Sequence, residues 1–198
     1  MDEQRQLDNL ALVARVRAAD PAAWAELDDR YTNLLWFIAR GMRLNQEDAA
    51  DAVQTTWLRL VERIGTVRQP EAIGSWLATT MRRECLAILR RRSRTPVSEI
   101  VADVQDEADP LDSALLRREQ DSALWRAFRA LKPRCQLLLR VLMAVPPPSY
   151  TEVASALDMP VGSIGPTRQR CLASLREVMS ADPYPFESLV TEAGGELR

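Results

Sequence analysis

Residues 149–178 place the tightest constraint on the fold. Tyr150, Val153, Ala154 and Leu157 recur at helical spacing, Asp158-Met159-Pro160 interrupts them, and a second helical pattern starts at Val161. Two helices separated by so tight a break have the outline of a helix-turn-helix. In the second helix Val161, Ile164, Leu172 and Leu175 are left to bury against the first. Arg168, Arg170 and Arg176 then point outward, where a major groove can receive them. Asp158 tolerates the left-handed backbone of the turn, and Pro166 lies near enough to the helix start to be accommodated.

With 198 residues, 46% of them hydrophobic and 27% charged, the chain can bury one moderate core or two small ones. No apolar run approaches the roughly 18 to 20 residues of a membrane span. Met1 to Leu10 is polar and acidic, unlike a signal peptide. A cytoplasmic protein without membrane insertion is expected. Cys85, Cys135 and Cys171 are widely spaced and odd in number, so they read as small core residues rather than as a disulfide framework. Histidine is absent, which removes the commonest metal ligand and general base, and there is no CxxC pair. No catalytic residues, metal or cofactor are expected, although carboxylate and lysine chemistry stays formally open.

The net charge of −2 conceals a segregation along the chain. Residues 82–94 carry six arginines (Arg82, Arg83, Arg90, Arg91, Arg92, Arg94) against Glu84 alone. Residues 99–112 then carry six acids and no base. From Lys132 to Glu177 basic residues again outnumber acidic ones. Binding to a polyanion depends on local patches and released counterions, so an acidic total does not exclude it.

The pattern divides into an N-terminal arm (1–19), a helical domain (20–94), an acidic flexible linker (95–116), a second helical domain (117–179) and a tail (180–198). In the arm, Leu7, Leu10, Ala11, Val13 and Ala14 allow a short amphipathic helix. Asp20-Pro21 joins an N-cap acid to proline at the first helical position, and Trp24, Leu27, Tyr31, Leu34, Leu35 and Ile38 follow at helical spacing. The next helix runs from about Glu47 to Ile64. It turns Val53, Trp57, Leu60, Val61 and Ile64 inward and Asp48, Asp51, Gln54, Thr55 and Arg59 more outward. Pro70 can open a third helix, in which Ile73, Trp76, Leu77, Thr80, Met81 and Ile88 alternate with arginines. The fold class is all-α, with two small helical bodies. Fully extended, the linker spans on the order of 75 Å, enough to set the two bodies on sites two turns of DNA apart.

Three stretches in this order resemble the sigma-70 family, in its compact extracytoplasmic-function (ECF) group. Residues 47–60, Glu-Asp-Ala-Ala-Asp-Ala-Val-Gln-Thr-Thr-Trp-Leu-Arg-Leu, are similar to the region 2 motif Asp-Leu-Val-Gln-Glu-Thr-Phe, with Ala52, Thr55 and Trp57 replacing leucine, glutamate and phenylalanine. Ala72-Ile73-Gly74-Ser75-Trp76-Leu77 followed by Arg90-Arg91-Arg92 resembles the promoter-melting helix. Residues 131–140 resemble the start of region 4.

The resemblance implies an alternative sigma factor that binds core RNA polymerase, recognises minus-ten and minus-thirty-five promoter elements and promotes strand opening. Asp48, Asp51, Gln54 and Thr55 would meet the polymerase. Trp76, Arg82, Arg83, Arg90 and Arg91 would hold the minus-ten element, its separated strands kept by base capture and by cations on phosphates. Ser163, Thr167, Arg168 and Arg170 would approach the minus-thirty-five element. There Gly165-Pro166-Thr167 departs from the family's basic-serine-arginine pattern. An anti-sigma protein is a further partner that the family allows. Plainer readings stand beside each assignment. The acidic helix face fits ordinary solvation, Trp76 fits a core position, the arginine cluster fits a cation-favouring helix end, and the acidic segment fits a spacer as well as a strand passing through polymerase. The alternative for the whole chain is a conventional helix-turn-helix regulator binding duplex operator DNA.

Overall fold

The computed structural model describes residues 2–94 and 123–181. The expected acidic linker, the residues just before Ala123 and the tail beyond Ala181 lie outside the described residues. The first stretch contains α1 (Asp2–Arg17), α2 (Pro21–Gly41), α3 (Gln46–Arg63), two 3-10 turns (Ile64–Thr66 and Pro70–Ala72) and α4 (Ile73–Arg94). The second contains α5 (Ala123–Ala130), α6 (Pro133–Leu142), α7 (Tyr150–Leu157) and α8 (Val161–Ser180). Among the described residues there is no strand, and the fold is all-α.

Side-chain caps set the helix starts. The Asp20 carboxylate accepts a hydrogen bond from the Ala22 N–H at 2.9 Å, ahead of Pro21. Arg15 donates to the same carboxylate at 2.9 Å, and this bond is the chief reason the Asp20 carboxyl titrates below its ordinary value. Asn45 caps α3 by accepting from the Asp48 N–H at 2.9 Å. Ser149 and Glu152 cap α7 reciprocally, each side chain bonding the other's backbone N–H. The turn that follows places Asp158 in the left-handed region at φ 54°, as the sequence suggested.

The first half is a bundle around α2, whose Leu27, Tyr31, Leu34, Leu35 and Ile38 are buried. From α3 the buried residues are Ala49, Ala52, Val53, Thr56 and Leu60. This stripe corrects the expectation for Val61, which is exposed. Val61 follows Leu60, the centre of the stripe, and a helix turns by about 100° per residue.

The N-terminal helix is an integral part of this bundle. Its buried face is Asn9, Leu12, Val13 and Val16, whereas Leu7, Leu10, Ala11 and Ala14 are exposed. Asn9 accepts from the Tyr31 hydroxyl at 2.8 Å and donates to the Glu71 carbonyl at 3.1 Å. Arg17 donates to the carbonyls of Ile64 and Val67 at 2.9 and 2.6 Å, so α1 holds the loop between α3 and α4 in place.

In the second half Gln136 finishes α5 by donating to the carbonyls of Arg129 and Leu131 at 2.9 and 2.8 Å. Cys135 on α6 and Cys171 on α8 form a disulfide, with Cα atoms 5.4 Å apart. That corrects the reading of all three cysteines as unpaired core residues. The two lie 36 positions apart, and only the contact of α6 with α8 brings them together. Cys85 is free and buried, as expected.

The two halves pack directly on one another, α4 against α7 and α2 against α6. Two glycines permit the close approach. A Cβ at Gly41 would collide with Leu137 of α6, and one at Gly74 would collide with the Glu152 carboxylate of α7.

Loss of the disulfide, by reduction or by Cys135→Ser, is expected to destabilise the second half by about 2–4 kcal/mol, measured as a lower unfolding midpoint. Burial pushes the Cys85 thiol up to about 12. Burial first, and the Glu152 charge second, raise the Tyr31 hydroxyl from 10.0 to about 12. Both groups are held neutral by folding, so their contribution is complete below the unfolded values and is lost as pH rises through the folded ones. Stability should fall between about pH 9 and 12, and Tyr31→Phe should make that fall shallower above pH 10 while leaving the Cys85 share in place.

Candidate nucleic-acid and docking surfaces

Three surfaces gather the residues singled out in the sequence. The first lies on α3. Asp51 and Gln54 are exposed and Thr55 is half-buried. Asp48 departs from its expected outward role, because its carboxylate pairs with Arg92 of α4 at 2.6 Å. Its position in the first turn of α3 points it across to the far end of α4. Leu58 and Val61, each 56% exposed, continue the row begun by Asp51 and Gln54 at helical spacing. Neither was marked as a surface residue in the sequence, since an apolar residue on an amphipathic helix is assigned by default to the core. The sign that was available was an excess of apolar residues over what one buried stripe holds. Acidic and polar groups followed by bare aliphatic ones make a face suited to a basic partner with an apolar patch.

The second surface is a groove of about 600 Å³ between the α3–α4 loop and α4. Arg63, Arg68 and Arg83 line it together with Trp76, Thr79 and, from the second half, Ser155. Trp76 is half-buried, with part of it packed on the core and part in the groove, so the core and surface readings of this residue both hold. Arg83 is exposed. Arg82, two-thirds of a turn from Trp76 on the helix wheel, is drawn away and pairs with Asp158 at 3.1 Å. Arg90 and Arg91 are exposed near the end of α4 and do not line the groove. Arg63 and Arg68 are isolated in the sequence and give no charge-cluster signal, although Arg68 lies in the loop 65–71 that the resemblance sets at the minus-ten element. The loop fold sets them beside Arg83, and Arg17 and Asn9 anchor that loop from α1. An aromatic edge beside three guanidinium groups suits an unstacked base with its phosphates.

The third surface is the first half of α8. Ser163, Thr167 and Arg170 occupy one row, with Arg168 exposed beside them. The Ser163 hydroxyl donates to the Pro160 carbonyl at 2.6 Å, and Arg170 donates to the Thr167 hydroxyl at 3.2 Å. The opposite side buries Ile164 and Cys171 and packs Leu172 and Leu175 against the core. Helix α8 continues through Pro166, which is exposed. The outward face is therefore polar and cationic, of the size and chemistry that enters a major groove.

A small all-α fold that carries a helix-turn-helix and, bordering its first helix, an arginine-lined groove has the features found in helical DNA-binding proteins. Residues 27–95 match the family model of sigma-70 region 2. The ECF RNA polymerase sigma factor BldN of Streptomyces coelicolor is 27% identical over 87% of this chain and 66% of its own length. The ECF factor SigM of Mycobacterium tuberculosis is 31% identical over 57% of this chain and 58% of its own. The chain thus spans less than two thirds of the length of these two relatives. The ECF sigma-E factor of Haemophilus influenzae is 25% identical over 80% of this chain and 88% of its own. The fold is also that of CnrH, solved in complex with the cytosolic domain of CnrY, with a TM-score of 0.58 at 18% identity, covering 88% of this chain and 98% of that one.

Over most of its length the chain is thus similar to ECF sigma factors, and residues 27–95 carry the sigma-70 region 2 match. Among the described residues no helix is long and apolar enough to cross a membrane.

Proposed function

We propose that the chain is a dissociable promoter-specificity subunit of RNA polymerase, with residues 20–94 and 117–179 as its two DNA-reading parts. The observation that carries this reading is the presence, on one chain, of two separate cationic surfaces of different shape together with a third, acidic and apolar one. The groove under Trp76 suits single strand, the α8 face suits duplex, and the α3 stripe suits a protein. A conventional duplex-binding regulator needs only the second of these.

In this reading Asp51, Gln54, Thr55, Leu58 and Val61 meet core polymerase. Asp48 acts indirectly, by tying the arginine-rich end of α4 to the start of α3. The minus-ten strand lies in the groove on Trp76, Arg83, Arg63 and Arg68. Arg90 and Arg91 contact flanking phosphate, and Arg82 does so once it is released from Asp158. Ser163, Thr167, Arg168 and Arg170 face the minus-thirty-five duplex. Opening the strands costs roughly 1.4 kcal/mol per stacked step, which base capture and cation contacts in the groove offset. CnrH was solved with a protein partner, and an anti-sigma domain is the corresponding partner class for this chain.

Run-off transcription with core enzyme and genomic promoter fragments tests the whole reading, and absence of both core binding and initiation would end it. Replacing Arg168 and Arg170 by alanine should weaken promoter binding and make its salt dependence shallower, while core association in a pull-down stays unchanged. A guanine-reading arginine would cost about 1–3 kcal/mol at its own base pair, whereas a phosphate contact would weaken all sequences alike. Leu58→Asp together with Val61→Asp should do the reverse, abolishing core association and leaving the helical circular dichroism intact, because neither side chain belongs to the buried stripe.

A further inference from the structure

Glu152 is the most deeply buried charged residue described, 2% exposed, and it sits where the two halves meet. Its carboxylate accepts from the Ser149 N–H at 2.7 Å and pairs with Arg5 of α1 at 3.3 Å. Arg5 also donates to the Pro147 carbonyl at 2.6 Å, just ahead of α7. One side chain of the N-terminal helix therefore grips both the entry to the helix-turn-helix and its first helix. Asn33 adds a bond to the Val145 carbonyl at 3.0 Å, and Arg82 pairs with Asp158 at the other end of α7. Gly74 and Ala78 form the row of α4 between these two clasps, and their small size lets α7 lie close.

The consequence for the groove is direct. Ser155, on the α7 helix so held, forms part of the wall that carries Trp76 and Arg83. In this arrangement α7 forms one side of the groove, and the outward face of α8 stays exposed.

The composition of this contact marks it as separable. The pair joins a buried carboxylate to a partly exposed guanidinium, and the desolvation cost falls chiefly on the Glu152 charge. Arg5 Nε is buried without a hydrogen-bond partner, which adds to that cost. Beside the pair lies a small cavity of about 40 Å³, lined by Arg5, Asn9, Ser75 and Glu152 among others. The α4–α7 contact is built from small and polar groups at this end, and rehydration on opening relieves Glu152.

We propose that Arg5 and Glu152 form a latch through which the N-terminal helix holds the helix-turn-helix closed over α4, and that its release uncovers the groove. The inference rests on the promoter-strand reading only for what the groove binds. The latch itself rests on the contacts between α1, α4 and α7.

Removing the arginine leaves an uncompensated carboxylate in the interface, and the chain relieves it by opening. The test uses the full chain with nitroxide labels at Glu62→Cys on α3 and Ser174→Cys on α8, both exposed positions. Pulsed electron-electron double resonance should give the parent one short-distance population. Arg5→Ala and Arg5→Glu should raise a longer, broader population by ~10-fold or more, with unchanged helical circular dichroism. Arg5→Lys, which keeps the charge, should remain largely closed. A distance distribution for Arg5→Glu identical to the parent's, or a parent that is already extended, would overturn the latch.

A second measurement separates the two readings. A single-stranded promoter oligonucleotide should bind the opened variants several-fold more tightly than the parent. Opening with no gain in strand binding leaves the latch standing and counts against the strand role of the groove.

Discussion

Helix α4 has two neighbours to satisfy, and the structure follows from how its surface is divided between them. Large apolar residues, Ile73, Leu77, Met81 and Ile88, face the bundle of α2 and α3. The row of Gly74, Ala78 and Arg82 serves α7 instead. A bulkier residue at Gly74 would drive Glu152 off and crowd the Tyr31 ring, so the same position limits both the bundle and the contact between halves. Close packing leaves little room to separate these roles. The arginine-lined groove lies along the remaining side of α4, which explains why residues of both halves border it.

The N-terminal helix is the second organising element. It buries Leu12, Val13 and Val16 in the first half, anchors the α3–α4 loop through Arg17 and Asn9, and reaches the second half through Arg5. The loop carries Arg68 and is flanked by Arg63, so the cationic lining of the groove depends on a helix that contributes no residue to that lining. A segment of this kind reads as a loose arm when only its polar composition is considered. Its buried face is narrow, one stripe of four residues, with Asn9 supplying bonds where an aliphatic residue would supply only area.

Much of the architecture was legible because its determinants are local. The Asp20-Pro21 start, the α2 stripe and the left-handed Asp158 turn each depend on residues within a few positions of one another. The outward face of α8 was legible for the same reason, since Ile164, Cys171 and Leu175 mark its buried side at regular spacing. The α3 docking face was only half legible. Periodicity identifies which residues share a face but not how wide the buried stripe will be, and Val61 fell just outside it. Asp48 and Arg82 were assigned to partners outside the chain, yet each meets an opposite charge within it. Exposure inferred from spacing does not say whether a charge is already taken.

The sequence by itself determined the helices, their caps, the helix-turn-helix and the segregation of arginine from acid, because a helix obeys a period of 3.6 residues whatever surrounds it. The tertiary structure alone decided which charges pair, which cysteines bond and which groove the scattered Arg63, Arg68 and Arg83 share. Arg5 and Glu152 lie in different halves of the described chain, as Cys135 and Cys171 lie on different helices, and no local spacing encodes their meeting. Such pairs exist only once one helix has been packed against another, and that choice is made by shape and burial over the whole molecule.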